Sequence, residues 1–267
     1  MAVLTISRTY QSGGHEIGKA VARETGYDFI DKTQIFSNLK SLGEKWGRAF
    51  EESDEVTPSL WEKNDWQYRG FIALIECIIF DYALKDRVVL LGRGANFILE
   101  GIPHVLRVRL IAPLEVRVER AIIKNETARE TAELLIKKTD QDRAGYIRSI
   151  YKKNWEDPEH YDLILNTADY SIDQATRKLT EALKEWDQRA TAEGRKKLEN
   201  QALTAKVKAR IITHPEIFIP TLEVSHDGRS IVLKGVVHTP KELHLVEAVV
   251  QQMADPHPVR NELHYRK

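Results

Sequence analysis

Apolar residues follow two different patterns along the chain, and the change between them lies near residue 200. Up to about residue 184, continuous apolar runs at 2–7, 87–92 and 104–112 alternate with longer stretches that have helical spacing. Continuous apolar runs are typical of strands covered on both faces, and intervening helices are typical of parallel strands. The pattern predicts an α/β domain, a parallel sheet covered by helices, over residues 1–184. The remaining elements predicted here are extended segments at 27–31 and 161–167 and helices at 16–25, 33–85, 114–124, 127–151 and 171–186, with a break at 54–59 and a buried helix at 69–84.

The second pattern follows a charged segment, 185–202, which has few large apolar residues and predicts a helical linker or solvated connector. Residues 221–239 then alternate apolar and polar positions around Asp227-Gly228, a pattern typical of an antiparallel hairpin. We therefore predict a second, small α+β domain over residues 203–267.

A helix and a strand complete this second domain. Thr239 is predicted as the helix N-cap, Pro240 as its first residue, and Glu242 as the partner in a capping box. Residues 259–266 alternate again and predict a closing strand.

Composition narrows the classes of function. The 267 residues include 40 basic and 40 acidic side chains, so no overall charge attracts the protein to nucleic acid or to a membrane. The single cysteine, Cys77, excludes an intramolecular disulfide and is predicted to be a small buried apolar side chain. We find neither an N-terminal targeting signal nor an apolar stretch long enough to span a bilayer, and we expect a cytoplasmic protein without a nucleic-acid partner.

A glycine-rich segment, "SRTYQSGGHEIGK", links the first strand to the first helix. Backbone N–H groups in such a turn, together with the positive end of the helix dipole, suit a phosphate group. The segment contains G-x-x-x-x-G-K from Gly13 to Lys19, but Ala20 stands where a phosphate loop has Ser or Thr, and Gly13 lies six residues past Ser7. We therefore expect Gly18 and Lys19 to lie inside the helix, and an ordinary strand-to-helix turn stays open as an alternative.

Basic side chains elsewhere offer partners for a phosphate. Arg93 follows a predicted strand at the edge where α/β sheets bind ligands. Arg117 and Arg120 share one helix face, as do Asp140 and Arg143. Each of these also has an ordinary alternative, which is a surface ion pair or a solvated helix face.

The order of these motifs resembles bacterial cytidylate kinases, and more closely the cytidylate-kinase-like family, over about residues 2–184. The resemblance is carried by the first loop and, after it, by "YDFIDK", "GRG", "AP-E-R--R", "D--R" and "YDLILNT". It implies a P-loop nucleoside-monophosphate-kinase fold, ATP and Mg²⁺ at the first loop, and ATP-dependent phosphoryl transfer to a nucleoside monophosphate, CMP or dCMP above all. It also implies an acceptor nucleotide near Asp31 and Arg93.

Matched one by one, Arg93 corresponds to a nucleotide-contacting arginine of the family, and Asp140 and Arg143 correspond to the pair that holds the cytosine and its phosphate. Arg117 and Arg120 match lid arginines, so that the implied catalytic set is Arg117, Arg120 and Arg143. The implied ATP-binding and phosphate-binding set is Arg8, Ser12, Gly13, Gly14, His15, Glu16, Gly18 and Lys19.

The first loop departs from the family pattern. Aligned without gaps, Arg8 stands at the first loop glycine, Gly14 at the phosphate-gripping lysine, and Glu16 at the magnesium-holding hydroxyl residue. Arg8, His15 or Lys19 as substitutes for the lysine, and Ser12 as a metal ligand, are hypotheses. The alternative function is therefore a catalytically weak or inactive nucleotide-binding regulatory protein.

Residues 203–267 resemble a BON domain, through "LEVSHDGRSIVLKGVVHTPKELHLVEAVVQQM" and "PVRNELHYR". This resemblance implies a phospholipid or a protein as the partner of the domain. The helix stripe Leu243, Val246, Val250 and Met253 is predicted to be core.

Overall fold

A computed structural model describes residues 1–52, 55–254 and 257–265. They group into two compact units, of which the first comprises Met1–Ser59 and Lys85–Thr191 and the second Leu60–Leu84 and Ala192–Lys267. The strands are β1 (Val3–Arg8), β2 (Asp28–Ile30), β3 (Val88–Leu91), β4 (Val105–Ile111), β5 (Leu163–Asn166), β6 (Glu223–His226), β7 (Ile231–Val237) and β8 (Val259–Tyr265). The helices are α1 (Gly14–Thr25), α2 (Lys32–Ser41), α3 (Glu44–Glu52), α4 (Leu60–Asn64), α5 (Trp66–Ala83), α6 (Ala95–Ile98), α7 (Leu114–Asn125), α8 (Arg129–Tyr151), α9 (Ile172–Asp187), α10 (Ala192–Ile212) and α11 (Pro240–Ala254).

The first unit is built on a parallel sheet with the strand order β2-β3-β1-β4-β5. β1 is the central strand, and its residues from Val3 to Ser7 are buried, as the continuous apolar run predicted. Because all strands are parallel, their carboxyl ends meet at one edge of the sheet, where the loop after β1 and the residues after β3 and β4 lie. The predicted parallel α/β architecture is confirmed.

Helices α1 and α9 bury their apolar faces against this sheet. Ile17 and Val21 lie one turn apart on α1 and pack with Leu179 and Leu183 of α9 and with apolar residues of β1, β3 and β4. Gly26 follows the last residue of α1, Thr25. It has a φ of 70°, in the left-handed region that glycine adopts more readily than other residues.

The predicted helical region 33–85 is four separate helices, α2 to α5. The predicted break at 54–59 begins at Asp54, which lies outside the described residues. α5 begins after Asp65, whose carboxylate accepts a hydrogen bond from the backbone N–H of Tyr68 at 2.8 Å. This helix was predicted within the first domain, whereas the compact units place it in the second.

The second unit contains a three-stranded sheet, β6-β7-β8, together with α5, α10 and α11. β6 and β7 form the predicted antiparallel hairpin around Asp227-Gly228, and β8 pairs parallel to β7. Their core includes Ala73 of α5, Val207 of α10 and Leu233 of β7. The predicted small sheet domain is confirmed, while the sequence-based boundaries at 184 and 203 stay a prediction.

Most of the predicted linker belongs to α10 and is packed rather than solvated. Leu198 and Ala202 of this helix are buried, so the segment contributes to the second unit. Helix α11 buries Val246 and Val250, and Leu243 and Met253 pack beside them in the same core, as the stripe predicted.

The start of α11 differs in one detail from the predicted capping box. The Thr239 hydroxyl accepts a hydrogen bond from the backbone N–H of Glu242 at 3.1 Å, as expected. The Glu242 carboxylate accepts from the backbone N–H groups of His238 and Phe218, both at 2.8 Å, and thereby joins two segments of this unit. In the part of the chain that the structure describes, no helix is long and apolar enough to cross a membrane.

Gly18 gives a direct test of how α1 packs on the sheet. A Cβ atom at this position would lie 2.8 Å from the Phe29 ring and 3.2 Å from Ile6. We therefore expect Gly18→Ala to lower the free energy of unfolding by about 1–2 kcal/mol, although alanine has the better helix propensity. Gly47→Ala is the matched control, because its Cβ would meet Lys40 at an ordinary 3.4 Å, and we expect it to be neutral or to stabilise by up to about 1 kcal/mol. Urea denaturation measures both, and equal effects of the two substitutions would contradict this packing.

Candidate functional site

The loop between β1 and α1 presents backbone amides to a cavity of about 220 Å³. Gly13 ends this loop in the left-handed conformation, with φ 79°. Among the described residues, no side chain caps the first turn of α1, so its N–H groups and the helix dipole are available to an anion. The cavity wall continues through His15, Asp31 and Lys124.

Arg8 occupies the space that a side chain at residue 14 would need. A Cβ atom on Gly14 would lie 2.9 Å from both Cβ and Cγ of Arg8, so the stem of Arg8 passes directly over this glycine. By the resemblance described above, Gly14 stands where the family has a lysine and Arg8 where it has a glycine. Arg8 brings a positive charge to the cavity.

The Arg8 guanidinium contacts a carboxylate, Glu55, that the sequence did not single out. Nη1 of Arg8 lies 3.1 and 3.2 Å from the two carboxylate oxygens of Glu55, and Nε of Arg143 lies 3.0 Å from one of them. The backbone N–H of Arg93 donates to Glu55 at 2.8 Å. Only 11% of the Glu55 side chain is exposed.

We call Arg8, Arg93 and Arg143 the arginine cluster. Burial alone would raise the pKa of Glu55, but the charges of the arginine cluster and the Arg93 N–H outweigh it and hold the pKa of this carboxyl well below its usual range. Burial and the neighbouring Arg8 charge lower the pKa of Arg143. Arg93 is 2% exposed, and its guanidinium carbon lies 4.2 Å from the centroid of the Phe50 ring.

A second cavity of about 330 Å³ adjoins the arginine cluster. Arg8 and Arg143 line both this cavity and the one at the loop. The charged residues on its wall are Arg8, Lys32, Glu55, Arg93, Asp142 and Arg143. Among the described residues on this wall, four of the charged side chains are cations and two are acids, which suits an anion. We call it the acceptor cavity, because Arg93, which the resemblance assigns to a nucleotide contact, lies on its wall.

The predicted catalytic residues Arg117 and Arg120 lie behind the loop and support it. Arg117 donates to the carbonyl oxygen of Tyr10 at 3.3 Å, and Arg120 donates to that of Gln11 at 3.3 Å. Arg120 also donates to the hydroxyl of Thr167 at 2.9 Å and to its carbonyl oxygen at 2.8 Å. Both guanidiniums thus donate to backbone oxygens of the loop, and Arg120 also lines a cavity beside it. Their role in neutralising charge during transfer stays a prediction.

Asp140, predicted to hold a cytosine base, has partners within the protein. One carboxylate oxygen accepts from the backbone N–H of Tyr10 at 2.7 Å, and the other pairs with Arg117 at 2.5 Å. Both oxygens of Asp140 therefore have contacts within the protein, and its contact with a cytosine base stays a prediction. Arg143, its partner in the predicted pair, instead faces Glu55.

Several residues predicted at the loop lie elsewhere or are already engaged. The Ser12 hydroxyl lies within hydrogen-bond distance of the carbonyl oxygens of Thr9, at 2.8 Å, and of Leu110, at 3.1 Å, and its role as a metal ligand stays a prediction. Glu16 pairs with Lys124 at 2.9 Å, and this hydrogen bond lowers the pKa of Glu16 although burial acts to raise it.

Gly18 and Lys19 lie within α1, as expected, and the structure does not bring them into the cavity. Gly18 packs against the sheet, and the ammonium of Lys19 lies 6.0 Å from the centroid of the Phe29 ring.

His15 and Asp31 do line the loop cavity, where they pair at 3.5 Å. Asp31 is also the N-cap of α2 and accepts from the backbone N–H of Thr33 at 2.8 Å. Its observed contacts explain its position without a ligand.

The side chains at the loop that could contact a magnesium ion already have partners within the protein. The two candidates at the loop, the Ser12 hydroxyl and the Glu16 carboxylate, are held by backbone oxygens and by Lys124. Among the described residues, no group of three or more histidine, cysteine, aspartate or glutamate side chains is arranged to hold a metal ion.

A third cavity of about 420 Å³ lies on the other side of the loop and is mostly apolar. Ile17, Ile123, Tyr170 and Ile172 contribute its apolar wall, and Gly13 at the loop forms its border. Such a cavity suits a flat apolar ring next to the phosphate-sized space at the loop. We call it the apolar cavity.

The sequence missed Glu55, Lys32 and Tyr170 as wall residues. Glu55 lies in a segment without periodic apolar residues, so no pattern distinguished it from a solvated acid. Lys32 had a signal, because it follows Asp31 in "YDFIDK", but it was not singled out.

The support of the loop by Asp140 can be tested by substitution. Asp140→Asn removes the charge that pairs with Arg117, and we expect it to lower the free energy of unfolding by about 1–3 kcal/mol in urea denaturation. Glu181→Gln, an exposed position of α9, is the control and should change this free energy by less than about 0.5 kcal/mol. A loss no larger than that of the control would show that Asp140 does not support the loop.

Comparisons with known proteins show which families the two parts of the chain match. The model of the cytidylate kinase-like family matches residues 3–169, and that of the BON domain matches residues 199–267. The cytidylate kinase of Natronomonas pharaonis is 28% identical over 175 residues, which are 64% of this chain and 83% of that protein. The cytidylate kinase of Methanopyrus kandleri is 27% identical over 192 residues, which are 68% of this chain and 92% of that protein.

Two further similarities are more limited, one in the length that is matched and the other in sequence identity. A uronate isomerase of Corynebacterium glutamicum is 32% identical over 92 residues, which are 34% of this chain, and the match spans only 18% of that enzyme. The crystal structure of an uncharacterized protein from Eubacterium ventriosum has a TM-score of 0.56 at 18% identity, covers 69% of this chain and 99% of that one, and shows the fold alone. Because its family model covers more than half of the sequence, the chain belongs to the cytidylate kinase-like family, with a C-terminal part that matches a BON domain.

Proposed function

We propose that this protein transfers a phosphoryl group from ATP to a nucleoside monophosphate, with CMP or dCMP as the acceptor. The observation that carries the proposal is the arginine cluster, which stands beside the uncapped first turn of α1. Phosphoryl transfer depends mainly on positioning and on neutralising the charge of the phosphates, and this chain assembles cations from distant segments at one point.

The donor nucleotide is proposed to bind at the loop. Its phosphates would accept hydrogen bonds from the amides at the start of α1, near Gly13 and Gly14. The apolar cavity adjoins this position and would take the adenine ring, between Ile17 of α1 and Tyr170. Mg²⁺ would arrive with the nucleotide, because the described side chains are not arranged to hold it.

The acceptor phosphate is proposed to bind in the acceptor cavity, where Arg93 and Lys32 contribute charge. Arg8 and Arg143 line both this cavity and the loop cavity, so they would lie between the two reacting phosphates. Guanidinium groups suit this place because they bind phosphate oxygens in a bidentate manner. No covalent intermediate is needed.

The choice of a cytosine base rests on the relatives and not on a described contact. Asp140, the residue expected to hold the base, is engaged by Tyr10 and Arg117. The names of the two archaeal cytidylate kinases support CMP as the first acceptor to test.

A second candidate is a nucleotide-binding regulatory protein with little or no turnover. It is favoured by Gly14 and Glu16, which replace the lysine and the hydroxyl residue of the family loop, and by the engagement of Glu16 with Lys124. In this case the BON domain would bind a phospholipid or protein partner, in keeping with the resemblance.

A coupled ADP-release assay over all nucleoside monophosphates tests the proposal, with Arg143→Lys as the variant. Lysine keeps the charge but loses the planar fork, so kcat/KM for CMP should fall about 100-fold or more. Arg177→Lys, at an exposed position of α9, is the matched control and should leave kcat/KM unchanged. Thermal melting of each variant checks that the fold is retained.

ATP titration by calorimetry separates the two candidate functions. ATP binding without ADP release on any monophosphate would contradict the kinase and support the regulatory protein. Unchanged turnover in Arg143→Lys would contradict the proposed position of the acceptor site, but it would still support the kinase activity.

A further inference from the structure

We propose that Glu55 is the resident anion of the acceptor phosphate site, which a substrate phosphate group must displace in order to bind. The inference rests on the proposed function for the identity of the displacing group. It goes beyond that function because it assigns to Glu55 control over the affinity of the site.

The geometry places the Glu55 carboxylate where a phosphate group would meet the arginine cluster. It accepts from Arg8, from Nε of Arg143 and from the backbone N–H of Arg93, at distances between 2.8 and 3.2 Å. Guanidiniums and a backbone N–H are also the donors that bind phosphate oxygens in proteins. A phosphate cannot make these contacts while the carboxylate makes them.

The backbone at Glu55 adds an independent observation. Glu55 has a φ of 50°, in the left-handed region that is unfavourable for a residue with a side chain. Such conformations persist where the surrounding structure holds them, and they occur most often at functional sites. From this backbone conformation the Glu55 carboxylate makes its contacts with the arginine cluster.

The charges on the wall favour exchange of the carboxylate for a phosphate monoester. Besides Glu55, the acceptor cavity has Asp142 as its other acid and Lys32 as a further cation beside the arginine cluster, within the described residues. A phosphate dianion would bring one more negative charge to these cations than the Glu55 carboxylate does. Because Glu55 is tethered to the site, it competes at a high effective concentration and lowers the affinity for every phosphate group by the same factor.

This competition predicts a pattern across ligands that a structural role would not give. In calorimetry with the full chain, Glu55→Gln should bind inorganic phosphate, pyrophosphate and CMP each about tenfold or more tightly than the wild type, by similar factors. Cytidine, which has no phosphate, should bind with unchanged affinity. Glu181→Gln removes the same charge from the exposed surface of α9 and should change none of these affinities.

Unchanged or weaker phosphate binding in Glu55→Gln would overturn the inference, and so would an equal gain for cytidine. Glu55→Ala serves as a second variant with the same expected result, and failure of both variants to fold would show that the carboxylate is required for the structure instead. Phosphate binding needs no turnover, so the outcomes are separable. ADP release with CMP together with unchanged phosphate affinity in Glu55→Gln removes only this inference, whereas tighter phosphate binding without any ADP release removes only the kinase.

Discussion

Charge balance at the carboxyl end of β1 is the constraint on which the site depends. Arg8, Arg93 and Arg143 come from distant parts of the sequence, and the three converge on one largely buried carboxylate. Like charges in a site of low dielectric repel strongly unless an anion lies between them. The site therefore requires an anion, which is Glu55 in the structure and, on our proposal, a phosphate group during function.

The close packing of Arg8 against the loop also explains why residue 14 is a glycine. A glycine at residue 14 leaves room for the stem of Arg8, and the Arg8 side chain brings its positive charge to the cavity. On the opposite side, Arg117 and Arg120 donate to the carbonyl oxygens of Tyr10 and Gln11 and fix the course of the loop. One set of arginines thus faces the cavity and another supports the backbone that borders it.

Sequence patterns predicted the elements well, because periodic burial is a local property. The buried strands β1, β3 and β4, helix α1, and the position of Arg93 at the sheet edge all follow from apolar runs and their ends. Such patterns do not predict contacts between residues that are far apart in the sequence. Arg117 and Asp140 are 23 residues apart, and the Ser12 hydroxyl donates to Leu110, 98 residues away.

Glu55 was missed for the same physical reason. Its segment, "DEVTPS", has no periodicity, and only the folded chain shows that this acid is buried among cations. The sequence likewise did not predict that α5 belongs to the second unit, because the apolar residues of a helix do not show which core the helix packs into. The resemblance to a family predicts ligand contacts for Arg117, Arg120 and Asp140, and the structure shows that all three contact the loop.

A crystal structure with a dinucleoside pentaphosphate that joins adenosine to cytidine tests the central claim most directly. This ligand carries both nucleosides and a chain of five phosphates, one more than the four that ATP and CMP present together. Our account predicts its phosphates at the α1 amides and on Arg8, Arg93 and Arg143, with the Glu55 carboxylate displaced from them. Phosphates bound elsewhere, with Glu55 still on the three arginines, would contradict it.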